Sequence, residues 1–439
     1  MKITFMGAGS TVFARSLIGD CMCSEHIKNS TFALYDFDST RLEQSRVILE
    51  GMRETMGGYG KIECYCGVEQ RKAALTGSVF VINAIQVGGY DPCTIIDFKI
   101  PKKYGLQQTI GDTLGIGGIM RALRTIPVMA DFAKDIEQVC PNALLLNYTN
   151  PMSMLTGYMQ TYTSVNTIGL CHSVQVCAEQ ILKLAGMEDK IEGHNEKIAG
   201  INHMGWLLEL RDKDGNDLYP QIREKVDTML TDPNIKDRVR IDYIKHFGYF
   251  CTESSEHNAE YNPFYIKSKY PELIERYRIP LDEYPRRCIN QINGWKDEYE
   301  KIKKEGMQPR MRSYEYCSRI IDAHITNEPF RFGGNMLNAA RYIENLPGEA
   351  CVEIPCIADA TGIKGQHVGR LPVQCAAMNI TNINVQLLTI EAAATMKKDH
   401  IYQAAMLDPH TGSELDIDTI KKMVDELIEA HGSYLPEYH

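Results

Sequence analysis

Cys171 and His172 stand side by side in "TIGLCHSV" (167–174), where Thr167 to Leu170 reads as a short apolar strand. A thiolate and a neutral imidazole are both good metal ligands. A second histidine, His203 in "GINHM" (200–204), lies on another strand-like segment and adds a further imidazole. Cys171 with His203 would make an open metal site, because two protein ligands leave positions for water or substrate oxygens. The same residues also suit a structural cysteine in the core, a surface histidine and a packed core histidine. The elements that carry them must decide.

Those elements alternate. "KITFMGAG", "TFALYDFD", "SVFVINAI" (78–85), "ALLLNYTNP" (143–151) and "NTIGLCHS" are near-continuous apolar runs of the kind found in parallel sheets. Helical stretches such as "RLEQSRVILEGMRETM" and "GIMRALRTIPVMADFAKDIEQV" lie between them. The alternation predicts a Rossmann-type doubly wound parallel α/β sheet over residues 1–195. From 196 to 439 the texture changes to an α/β (α+β) C-terminal domain. It holds strand-like "EKIAGINHMGWLLELRD", long polar helices including "EKVDTMLTDPNIKDRVRIDYIKHFG", and a helical end.

In such a sheet, ligands bind at the carboxyl ends of the strands. "GAGST" (7–11) gives part of the dinucleotide fingerprint, with Val12 where a third glycine is usual. Gly7 permits the tight turn and Gly9 admits a pyrophosphate, while Ser10 and Thr11 open the helix beside it. Asp36 ends the second strand and suits a ribose hydroxyl, which favours NAD over NADP. Asn83, Asn150, Cys171 and His172 end later strands and should face the same cleft. A glycine turn with a solvated acidic loop is the plainer reading of 7–36.

The 439 residues carry a formal charge of −10 and no basic block, which argues against a nucleic-acid partner. No run approaches a membrane span. "MKITFMGAGS" is too short an apolar run for a signal peptide, so a cytoplasmic protein is expected. The 14 cysteines are scattered along the chain rather than framed as a small secreted scaffold, so reduced thiols are expected.

Taken in order, "GAGST", "NYTNP", "GLCHS", "GINHM", "TESSEHNAEY" and "LDPHT" resemble the NAD- and manganese-dependent glycoside hydrolases of family 4. "DTLGIGGIMRALRTIP" and "TESSEHNAEY" bring the likeness nearest to its α-galactosidase branch. The resemblance implies a lactate/malate dehydrogenase-like fold, an α-galactoside substrate, and a homodimer or homotetramer. It implies that Cys171 and His203 hold Mn²⁺, although thiolate alone favours softer metals. It also implies hydride transfer from sugar C3 to NAD⁺, loss of the C2 proton, elimination of the C1 oxygen, and return of the hydride, one of the exceptions to two-carboxylate glycosidases.

By motif position the base is Tyr261, with Tyr265 as rival, and Arg286 or Arg287 would lower its pKa. His172 and Asp112 compete for the acid, because phospho-glucosidase relatives carry aspartate where His172 stands. Asn150 and Arg287 would bind sugar. The alternatives are another family 4 glycosidase (an α-glucosidase, α-galacturonidase or 6-phospho-glycosidase), a metal-free hydroxy-acid dehydrogenase, or a non-enzymatic NAD sensor.

Overall fold

The computed structural model describes residues 1–306 and 311–439. Six parallel strands form its first half: β1 (Lys2–Met6), β2 (Thr31–Asp36), β3 (Lys61–Cys66), β4 (Phe80–Asn83), β5 (Leu144–Asn147) and β6 (Thr167–Gly169). They lie in the order β3-β2-β1-β4-β5-β6, the doubly wound dinucleotide-binding order. All but the edge strand β3 are strongly apolar, because helices cover both faces of the sheet there. In β1, Ile3, Phe5 and Met6 are buried, and the inward Thr4 hydroxyl is satisfied by Ala74 O at 2.7 Å. Helix α1 (Thr11–Met22) follows the glycine turn. Helix α2 (Ser39–Thr55) starts where the Asp38 side chain accepts from the N–H groups of Thr40 and Arg41.

The sheet continues without a break into the second half. Strands β7 (Asn195–Ile201), β8 (Met204–Arg211), β9 (Phe250–Cys251), β10 (Phe330–Leu337), β11 (Cys351–Asp359) and β12 (Gly362–Gly365) complete it. β10 pairs antiparallel with β6 at Asn335 and Gly169, and β11, β7, β8 and β9 extend the same sheet. Gly169 allows this closure, since a Cβ there would lie 2.7 Å from Thr156 Oγ1 and 2.9 Å from Asn335 Cβ.

Two expectations are corrected here. The segment read as a single helix from Glu224 to Gly248 is two helices, Tyr219–Thr231 and Arg238–Phe247. Pro233 separates them, lacking an N–H and disfavouring helical geometry in Asp232 before it. The strand-like run around His203 is a hairpin instead, with Asn202 and His203 forming the turn between β7 and β8. Among the described residues, no helix is long and apolar enough to cross a membrane.

Candidate active site and metal centre

The site is assembled from the ends of β6 and β9, the β7–β8 turn, one short helix and one loop. β6 delivers Cys171, buried, with its Sγ 3.1 Å from Ser173 Oγ. The β7–β8 turn delivers His203 at φ 64°, and the segment after β9 delivers Glu253 at φ 69°. Both are non-glycine residues in the left-handed region, a conformation that few such residues adopt. The short helix Ser255–Ala259 presents His257, and Tyr261 follows it. Asp112 comes from the loop before the helix Gly115–Val139.

Ligand atoms of Cys171, His203 and Glu253 all lie within 4.8 Å of one another, and so do those of Asp112, His203 and His257. His203 is shared by both groups. Its ring meets that of His257 edge-on at 4.9 Å. His257 in turn lies between Asp112, 3.7 Å from its Nε2, and Glu253, 3.5 Å from its Nδ1. Ser254 Oγ sits 3.0 Å from the same Nδ1.

Burial sets the charge states. It lowers the pKa of His203 to about 4, leaving the neutral imidazole that a metal ligand requires. Burial alone would raise the Glu253 carboxyl, but His203, His257 and His172 bring it down to about 2. The Cys171 thiol is pushed well above its ordinary value by burial and by the carboxylates Glu353 and Glu253. A cation against its sulfur would reverse that balance, because metal coordination deprotonates a thiol. One sulfur, a neutral imidazole and a carboxylate within reach of each other fit a divalent cation. Glu253 would also supply the hard oxygen donor that a cysteine–histidine pair lacks for manganese.

The nucleotide end fits as well. Gly7 has φ +88°, and a Cβ on it would lie 2.8 Å from Ala84 O. Gly9 N donates to Asp36 Oδ2 at 2.6 Å, while Asp36 Oδ1 accepts from Asp38 N at 3.0 Å. Ser10 occupies the N-cap of α1 and makes no capping bond there among the described residues, so the helix N-terminus is left for an anion. The side chain of Thr11 lies outside the described residues.

Residues 2–187 match the family described as Family 4 glycosyl hydrolase, and residues 198–411 match its C-terminal domain. The chain belongs to family 4 of the glycosyl hydrolases. An α-galactosidase of Bacillus subtilis (strain 168) is 55% identical over 437 residues, covering 100% of this chain and 99% of that one. An α-galactosidase of Rhizobium meliloti (strain 1021) is 35% identical, covering 100% of this chain and 89% of its own. A 6-phospho-β-glucosidase from Thermotoga maritima, solved with manganese, NAD⁺ and glucose-6-phosphate, shares the fold. It superposes with a TM-score of 0.79 over 100% of both chains at 21% identity.

In this glycosidase the two rival tyrosines part company. Tyr261 Oη lies 3.4 Å from His203 Nδ1. Tyr265 instead donates to Asp242 at 3.0 Å and packs against Tyr243 and Tyr277. Asn83 is fully buried, donating to Asn147 and Thr149 across the ends of β4 and β5. Asn150 is half-buried after β5, and His172 is exposed beside Cys171. Arg286 and Arg287 lie on the exposed helix Glu283–Glu305, each paired with Glu283, and Arg287 also reaches Glu256 at 3.8 Å.

Glu253 and His257 were missed as site residues although "TESSEHNAEY" contains both. Their four-residue spacing, Glu253, His257 and Tyr261, is a helix-like period that could have flagged them, although only His257 lies within the helix Ser255–Ala259.

Proposed function

We propose that this glycosidase hydrolyses α-galactosides such as melibiose, using NAD and a divalent cation, Mn²⁺, held by Cys171, His203 and Glu253. The observation that carries the reading is the convergence of a thiol, an imidazole and a carboxylate within 4.8 Å at the end of β6. β6 lies in the same parallel sheet as β1, which leads into the Gly7–Gly9 turn. The Bacillus subtilis α-galactosidase supports the choice of sugar. When bound, NAD supplies a reversible hydride acceptor and the cation supplies a Lewis acid beside the sugar oxygens.

The chain's own residues then divide the remaining work. Gly7, Gly9, Ser10 and Asp36 hold the nucleotide, and Asn150 faces the sugar. In this reading Tyr261 takes the C2 proton, which the nearness of His203 Nδ1 to its oxygen supports. Asp112, with His257 Nε2 3.7 Å away, gives a proton to the leaving oxygen in this reading, in preference to the exposed His172. The unit that binds nucleotide is residues 1–195, and residues 196–439 complete the sugar site and the contacts of a homodimer or homotetramer.

The test is hydrolysis of a panel of nitrophenyl glycosides after removal of nucleotide and chelation of metal, followed by readdition of NAD⁺ and Mn²⁺ separately and together. Cleavage of the α-galactoside that requires both supports the reading. Full activity without either overturns it, and preference for an α-glucoside, a galacturonide or a 6-phosphorylated sugar moves the substrate assignment.

A further inference from the structure

The loop that carries Asp112 is gripped from several distant parts of the chain. Glu260, 2% exposed, accepts from the backbone N–H of Thr109 at 2.8 Å and of Gly111 at 2.7 Å, with Ile110 N at 3.3 Å. The carbonyls of Gln108 and Thr109 accept from the N–H groups of Asp282 and Tyr284 at 2.9 and 3.0 Å. His410, in the "LDPHT" motif, has Nε2 2.8 Å from Gln107 O. Thr109 Oγ1 donates to Glu256 O at 2.6 Å.

Of these holds, Glu260 carries the clearest cost: burial raises its pKa to about 7 against the amides that favour its ionised form. A buried carboxylate loses its hydration, and backbone donors replace only part of it. A carbonyl would satisfy the same N–H groups without a buried charge. What the carboxylate adds is strong, multidentate fixation of three consecutive amides. Glu260 also sits three residues after His257 and one before Tyr261. One side chain therefore ties the segment bearing His257 and Tyr261 to the loop bearing Asp112.

We propose that Glu260 is a positioning residue that sets the separation between Asp112 and the His257–Tyr261 segment. Without it the 109–111 turn relaxes and Asp112 leaves its place opposite His257. The proposal rests on the reading of Asp112 as proton donor.

A double-mutant cycle of Glu260→Gln with Asp112→Asn tests it in the enzyme loaded with NAD⁺ and Mn²⁺. Glu260→Gln should lower kcat by up to the ~10²-fold that a ~1 Å misplacement costs, while KM and NAD⁺ affinity hold. In the Asp112→Asn background the same change should cost almost nothing more, because the residue it positions is already disabled. Additive losses, an unchanged kcat, or a loss seen in KM alone overturns the proposal. If Asp112→Asn by itself keeps full kcat, it is the donor reading that falls, and this inference with it. Should Glu260→Gln fail to fold, Glu260→Asp replaces it. Its shortened carboxylate must give the same kcat-only loss and the same silence in the Asp112→Asn background.

Discussion

His203 turns its two ring nitrogens to different partners: Nδ1 lies 3.4 Å from Tyr261 Oη and Nε2 lies 3.5 Å from Glu253 Oε2. A ligating histidine commonly gives its second ring nitrogen to a neighbour that fixes the orientation of the ring. Here that neighbour is the phenol proposed as base, so one ring links the metal side of the site to the proton-transfer side.

Tyr261→Phe should therefore leave the fold and the cation intact and remove proton transfer. Solvent deuterium incorporation at sugar C2 and glycoside cleavage should both fall by ~10²–10⁴-fold, the usual contribution of a general base. Tyr265→Phe is the control. Its hydroxyl is spent on Asp242 within an aromatic cluster, so it should lower the melting temperature and leave exchange near wild type. Exchange lost in Tyr265→Phe and retained in Tyr261→Phe would reverse the assignment.

The metal centre makes a separate expectation. Cys171→Ser, His203→Ala and Glu253→Gln should each weaken Mn²⁺ binding, measured by titration calorimetry, with NAD⁺ affinity preserved because the contacts proposed for it, at Gly7, Gly9 and Asp36, are separate. For Glu253→Gln the loss should be at least the ~10–100-fold seen even for outer-shell groups. Manganese affinity unchanged in Glu253→Gln would make that residue a bystander, leaving Cys171 and His203 as the ligands.

Much of this was legible in the chain. The five strands "KITFM" to "TIG" could be read because residues buried on both faces leave continuous apolar runs. β3 escaped notice, since "KIECYC" alternates polar and apolar at the edge of the sheet, where one face meets solvent. β10 was hidden for another reason: "FRFGGNML" carries two glycines that argue against a strand. Both are there for close packing, as a Cβ at Gly333 or Gly334 would lie 2.7 Å from Val174 or 2.8 Å from Cys356 Sγ. At the site, Cys171 and His203 stood out because cysteine and histidine are chemically conspicuous. Glu253 did not, because its role depends on a hairpin turn and a strand end that meet only in three dimensions.

The glycine turn offers a steric test of nucleotide binding. A Cβ on Gly9 would lie 2.8 Å from Asp36 Oδ2 and 3.1 Å from Arg41 Cβ. Gly9→Ala must therefore displace the Asp36 carboxylate and narrow the approach to the turn. NAD⁺ affinity, followed by protein fluorescence, should drop by at least tenfold while Mn²⁺ affinity holds. Unchanged NAD⁺ affinity would place the pyrophosphate elsewhere.

Behind Cys171, Glu353 makes the stability of the protein depend on pH. It is 1% exposed, accepts from Asn335 Nδ2 at 3.0 Å and Asn202 Nδ2 at 3.5 Å, and burial raises its pKa to about 7. The sign follows from proton counting. Between the ordinary glutamate range near ~4.3 and about 7, the folded state holds this proton and the unfolded state does not. Its contribution to stability is thus largest at the acid end and shrinks as pH rises through that window, flattening above it. Glu353→Gln keeps the acceptor for both asparagines and removes the titration. The difference in unfolding free energy between variant and wild type should shift in favour of the variant by about 3 kcal/mol from pH 4.5 to 7.5. Denaturant titrations of both proteins across that range, without added metal or nucleotide, measure it. A difference that stays constant with pH would mean that Glu353 ionises in the folded protein as it does in the unfolded chain.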